Sequence, residues 1–157
     1  MDTLNRWLTL FANLGVLAGT LLLAYEINEN RNLQAAQTRL AITDINRDMV
    51  LRFSENPTAV NALLKIESGE SLSSEEDLVL RFQAVAAFRH WENVYFQYQN
   101  GLFHENEFKA ISSTWRKNLL SPRLEGRWES KAATFSTEFE QFIDQLIVEE
   151  RELRAAH

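Results

Sequence analysis

Trp7-Leu-Thr-Leu-Phe-Ala-Asn-Leu-Gly-Val-Leu-Ala-Gly-Thr-Leu-Leu-Leu-Ala-Tyr25 decides how the rest of the chain is read. These are 19 residues without a charged side chain, and seven of them are leucine. At about 1.5 Å per helical residue the run reaches roughly 28 Å, close to the hydrocarbon thickness of a bilayer. A tryptophan opens it and a tyrosine closes it, the amphipathic rings that favour the two membrane interfaces. Arg6 and Glu26 flank it. The expectation is a single transmembrane helix, with residues 1–29 as anchor and exit and residues 30–157 as a helical domain.

Two other readings compete for this stretch. A signal peptide would place a small residue three positions before its cut, whereas the exit here reads Leu22-Leu23-Ala24-Tyr25-Glu26. A buried core helix of a soluble bundle seldom needs so long an uncharged run.

Inside the run, Leu10, Leu14, Leu17 and Leu21 form one stripe at 100° per residue. Ala12, Gly15 and Gly19 fall opposite, with Asn13 and two threonines beside them. Small residues let a second backbone approach, and an asparagine in hydrocarbon seeks a hydrogen-bond partner on a neighbouring helix. Gly15, Gly19 and Asn13 are therefore candidates for helix packing in the membrane, and a homo-oligomer, most simply a dimer, is expected. Against this stands the general abundance of glycine and threonine in membrane helices.

Outward from the anchor, the remaining residues of the 157 suffice for one domain with a core. Apolar residues at 45% and charged residues at 24% argue against disorder. Only five glycines and two prolines punctuate the chain, which suits long helices. A net charge of −6 argues against a nucleic-acid partner. The absence of cysteine removes disulfides, thiolate catalysis and zinc–thiolate sites.

No helix breaker occurs before Pro57, so helix is expected to run on from the membrane as a stalk, its apolar face turning from Leu33, Ala36 and Leu40 to Ile42, Ile45, Met49 and Phe53. Asn56-Pro57 restarts a short helix carrying Val60, Leu63, Leu64 and Ile66 and stopping near Gly69. Ser73-Ser74-Glu75-Glu76 is a capping-box pattern. The helix it opens, about 75–100, is apolar almost all round and reads as the central element. Further helices are expected over about 105–119 and from Trp128 onward, where Ala132, Phe135, Phe139, Phe142, Leu146 and Leu153 keep a seam. The fold class is all-α: an N-terminal transmembrane helix continuing into a stalk, then a bundle of about five helices.

The arrangement resembles a group of uncharacterised bacterial single-span membrane proteins. The likeness lies in the exit Tyr25-Glu26-Ile27-Asn28-Glu29-Asn30 after the apolar run, in Trp91 before Gly101-Leu102, and in Pro122, Arg127 and Trp128 ahead of a Phe-rich last helix. It covers most of the chain, and it carries no activity to any residue.

No catalytic signature is visible. No histidine has an acidic residue three positions before it, as a di-iron bundle would need, and no zinc-protease, phosphate-loop or dinucleotide motif occurs. His104-x-x-Glu107 reads as a solvated helix start. No cofactor is expected, and the chain is read as a non-enzyme. Arg89 and Glu92, three apart on the central helix, suggest a buried ion pair or the edge of a small-molecule pocket. Breaking such a pair if buried would cost on the order of 3–5 kcal/mol. Arg116, Lys117, Arg123 and Arg127 form a basic stretch suited to anionic lipid or a protein partner. The function expected is a membrane-anchored, non-catalytic interaction or sensory module; the alternative is a small-molecule-binding or enzymatic domain near Arg89 and Glu92. Cations on either side of the anchor, Arg6 against Arg31 and Arg39, are nearly balanced, and the domain is expected in the cytoplasm.

Overall fold

The computed structural model describes residues 2–130 and 134–156. Among the described residues helix accounts for 83%, and no strand occurs. Five helices follow one another: α1 Asp2–Ser54, α2 Pro57–Ser68, α3 Ser74–Gln99, α4 Glu105–Leu119 and α5 Thr137–Ala155. The chain divides between Gln37 and Thr38 into two units.

In the first unit, α1 is helix throughout and every side chain from residue 2 to residue 34 is exposed. It is the one helix described that is long and apolar enough to cross a membrane. Thr9 and Thr20 donate their hydroxyls to the carbonyls of Asn5 and Val16, at 2.8 and 2.9 Å, so neither leaves an unmet polar group in the run.

The second unit holds the core. Of the two stalk faces named above, Leu33 and Leu40 remain exposed, whereas Ile42 is buried and Met49 and Phe53 are half-buried. After α1, Asn56 accepts a hydrogen bond from the Ala59 N–H and Pro57 occupies the first turn of α2. Gly69 ends that helix at φ +74°, a left-handed position that costs glycine little. Ala59 and Ala62, not the larger residues, are its fully buried side chains, and their size lets α2 lie close on α3. Leu64 is exposed.

At the start of α3 the capping box forms as read, with Ser73 and Glu76 exchanging side-chain bonds to each other's backbone N–H at 3.2 and 2.7 Å. Lys65 of α2 reaches the Glu76 carboxylate at 2.8 Å. These partners, Lys65 first and the Ser73 N–H next, hold that carboxyl down at about 2.

α3 is apolar almost all round, as expected of the central element, but the rest of the bundle covers only one of its faces. Leu80, Ala84, Phe88, Trp91 and Val94 line its covered face, while Phe82 and Phe96 are 68% and 60% exposed. Against that covered face pack rings from the later segments. Trp91 stacks on Trp115 at 5.1 Å, Tyr98 on Phe108 at 4.0 Å, and Phe88 meets Trp128 edge-on at 5.1 Å.

The last helix is shorter than its seam suggested. Residues 121–130 form turns, with Gly126 at φ +72°, and α5 begins only at Thr137; Ala132 lies outside the described residues. Trp128 is nonetheless buried, because its indole N–H donates to Asp144 at 2.8 Å. Within α5, Phe139 and Ile143 are fully buried and Leu153 is 44% exposed.

Candidate functional site

The sequence holds three groups of candidate site residues. Arg89 and Glu92 do pair, at 2.8 Å, but at the surface: the Arg89 side chain is half exposed and that of Glu92 about one-fifth. Both also fasten the chain before α5. Arg89 donates to the Thr134 carbonyl at 2.8 Å and lies over the Phe135 ring, and Glu92 accepts from the Ser136 N–H at 2.8 Å. Partial burial alone would raise the pKa of Glu92, but the Ser136 N–H and Arg89 outweigh it and hold the carboxyl below its ordinary value.

A cleft of about 700 Å³ adjoins this pair, bordered by Asn93, Phe96, Gln99 and Glu138. Its one cation and its nearest carboxylate already bond to each other and to backbone. Both charged groups therefore have partners without a ligand.

The basic stretch does not form one patch. Arg127 is largely buried, donates to Asp77 of α3 at 3.0 Å and bonds back to the Arg123 carbonyl at 2.8 Å. Arg116 turns toward α5, 3.3 Å from Glu150 and 3.7 Å from Glu149, without good hydrogen-bond alignment to either. Lys117 is exposed. Arg123 lies 4.4 Å over the Phe53 ring, and burial lowers its pKa. Two of the four cations thus serve internal ion pairs, and their sequence proximity did not translate into a common surface.

In the N-terminal unit, an added Cβ at Gly15 or Gly19 would meet nothing within 4 Å. The chain's own packing therefore does not require glycine at either position. The Asn13 side chain makes no hydrogen bond among the described residues, unlike those of Thr9 and Thr20. At about 100° per residue, Asn13 projects roughly 160° from Gly15 and about 120° from Gly19. The expectation that Asn13 lies beside the glycines is thereby corrected: it falls nearer Leu17, and a single flat contact cannot use both features.

His104 occupies the N-cap of α4 without a side-chain capping bond, and Glu107 pairs with Arg39 at 2.6 Å. No group of three His, Asp or Glu side chains suited to a metal occurs among the described residues.

Sequence reasoning missed one place. Gln83 and His90 of α3 each bury a side-chain atom, Oε1 and Nδ1, that has no hydrogen-bond partner. Both line a second cleft, of about 600 Å³, together with Arg123. The available signal was Gln83-x-x-Ala86-Ala87-x-x-His90, polar residues two turns apart with alanines between them. On a helix apolar almost all round, alanines between two polar residues do not stand out from core positions. Comparison with protein-family models, with curated proteins and with solved structures found no match to this chain.

Proposed function

We propose that the chain is a membrane-anchored, non-catalytic helical module: the stretch Trp7–Tyr25 spans the bilayer, and the unit from residue 38 onward serves interaction or sensing. The observation that carries this reading is the exposure of the whole run. A core helix of comparable apolarity would be covered by the rest of the fold, yet every side chain in this run faces outward. A bilayer is the cover that fits its length, its leucine content and its terminal rings.

The test is partition. Alkaline extraction should leave the full chain in membranes, and peptide mapping of that material should recover Trp7–Tyr25. Recovery of the chain in the soluble fraction, or loss of the run from the mature protein, would overturn the anchor. Sidedness is part of the proposal, with the domain in the cytoplasm. Alkaline phosphatase fused after residue 157 should then be inactive.

Self-association through the span belongs to the same reading. It is supported by two glycines that the chain's own packing does not need and by an asparagine without a partner. Because these project from different sides, crosslinking in membranes separates them. Gly15→Ile with Gly19→Ile should weaken the dimer if close packing holds it, and Asn13→Leu if the side-chain bond does. A dimer indifferent to both sets, or one formed by residues 38–157 alone, would remove the span as its driver.

A further inference from the structure

The second cleft lies wholly within the unit 38–157. Its floor is the stripe Gln83, Ala86, Ala87 and His90 of α3, where two alanines leave space that larger side chains fill elsewhere along this helix. The facing wall is Met49, Val50 and Phe53 from the last turns of α1, and Arg123 stands in the turns that follow α4. At about 600 Å³ the cleft falls in the size range of small-molecule sites.

Its polar groups are unbalanced in one direction. No aspartate or glutamate lines it. Arg52 is neutralised by Asp48 at 2.6 Å, whereas no carboxylate lies within ion-pair distance of Arg123 among the described residues. The Arg123 guanidinium has the Phe53 ring at 4.4 Å and is partly desolvated. Water can satisfy Gln83 Oε1 and His90 Nδ1, but water cannot neutralise a desolvated cation.

Two features limit the charge a ligand should bring. Ser54 and Asn118, which also line the cleft, belong to the C-terminal turns of α1 and α4. Carbonyls there carry partial negative charge and disfavour a dianion. The walls are otherwise aliphatic and aromatic, so an anion without an apolar body would forgo most of the available contact.

We propose that this cleft binds a small monocarboxylate with an apolar body, its carboxylate on Arg123, its apolar part between the α1 wall and the α3 alanines, and its polar substituents read by Gln83 and His90. His90 can donate from Nδ1, and a half-turn of the Gln83 amide presents either its oxygen or its NH2. This site is independent of the anchor and of the Arg89–Glu92 cleft, and it supplies the bundle with a ligand to sense.

The probe is phenylbutyrate, compared with its neutral amide and with inorganic phosphate. Binding is measured on the full chain in lipid nanodiscs against empty nanodiscs, by calorimetry. Phenylbutyrate should bind saturably at one site per chain, at least about tenfold more tightly than the amide, the ratio a charge-assisted bond provides. Inorganic phosphate should not compete. Arg123→Gln should bring the acid down to the amide's affinity, and Arg123→Lys should retain part of the preference. Ala86→Trp, at an exposed position on the cleft floor, should abolish binding of both without disturbing the core. Equal affinity for acid and amide, no saturable binding in the millimolar range, competition by phosphate, or unchanged binding in Ala86→Trp would each overturn the proposal.

Discussion

The N-terminal unit and the bundle put their apolar residues to opposite uses. From Trp7 to Tyr25 leucines point outward along a helix whose own fold covers none of them. From residue 38 onward the rings of Phe88, Trp91, Trp115, Trp128 and Phe139 turn on one another and exclude water. In the bundle, packing within the chain decides which substitution is costly. In the first unit the surroundings decide, and the chain's own contacts are almost silent.

The largest expected effect sharpens that contrast. Phe88→Ala removes a fully buried ring between Trp91, Trp128 and Phe135 and should cost about 3–5 kcal/mol of bundle stability by denaturant melts. Leu14→Ala, an equally apolar truncation, should leave the same melt unchanged. Next comes Leu17→Arg, near the middle of the run. It should disfavour membrane insertion by about 2.5–3.5 kcal/mol in an insertion assay, with no shift in the melting of the bundle. An insertion-neutral result would break the comparison.

A smaller effect depends on pH. The Glu76 carboxyl is held at about 2, below its ordinary 4.5. Its ionised form therefore stabilises the bundle fully above pH 4.5, and that contribution is lost as pH falls toward 2. Stability of Glu76→Gln, followed by circular dichroism, should vary less with acidification over this interval than the parent's. The smallest effect is at Arg89. Because its side chain is half exposed, Arg89→Ala should cost under about 1 kcal/mol, not the several that a buried pair would require. A larger loss would mean that its bond to the Thr134 carbonyl secures more than one turn.

The helices were legible because their signals are local. Asn56-Pro57, Gly69 and the Ser73–Glu76 box mark ends by backbone chemistry that acts within a few residues, and both ends of α2 and the start of α3 fall within a residue or two of where those signals put them. Burial was less legible. Periodicity left α3 apolar almost all round, and nothing local tells which of Phe82 and Phe88 a distant segment will cover. The Trp128 seam failed for a related reason. Its rings do share the core, but Trp128 arrives there through a turn and an indole bond to Asp144, which repeat spacing does not distinguish from helix. Cations adjacent in sequence dispersed because two of them found different acids: Arg127 took Asp77, and Arg116 turned to Glu149 and Glu150.

The stretch between α4 and α5 is tied to α3 at its middle and at its far end, Arg127 to Asp77 and Ser136 to Glu92, across 50 and 44 residues of sequence. Such long closures forfeit chain entropy before they return any contact energy. The individual helices, whose bonds are local, can form before these ties close. Folding should therefore proceed with these two ties as its last event, and native opening should begin at them. Destabilising Arg127 would then speed unfolding while leaving the folding rate nearly unchanged, the signature of a contact absent from the transition state.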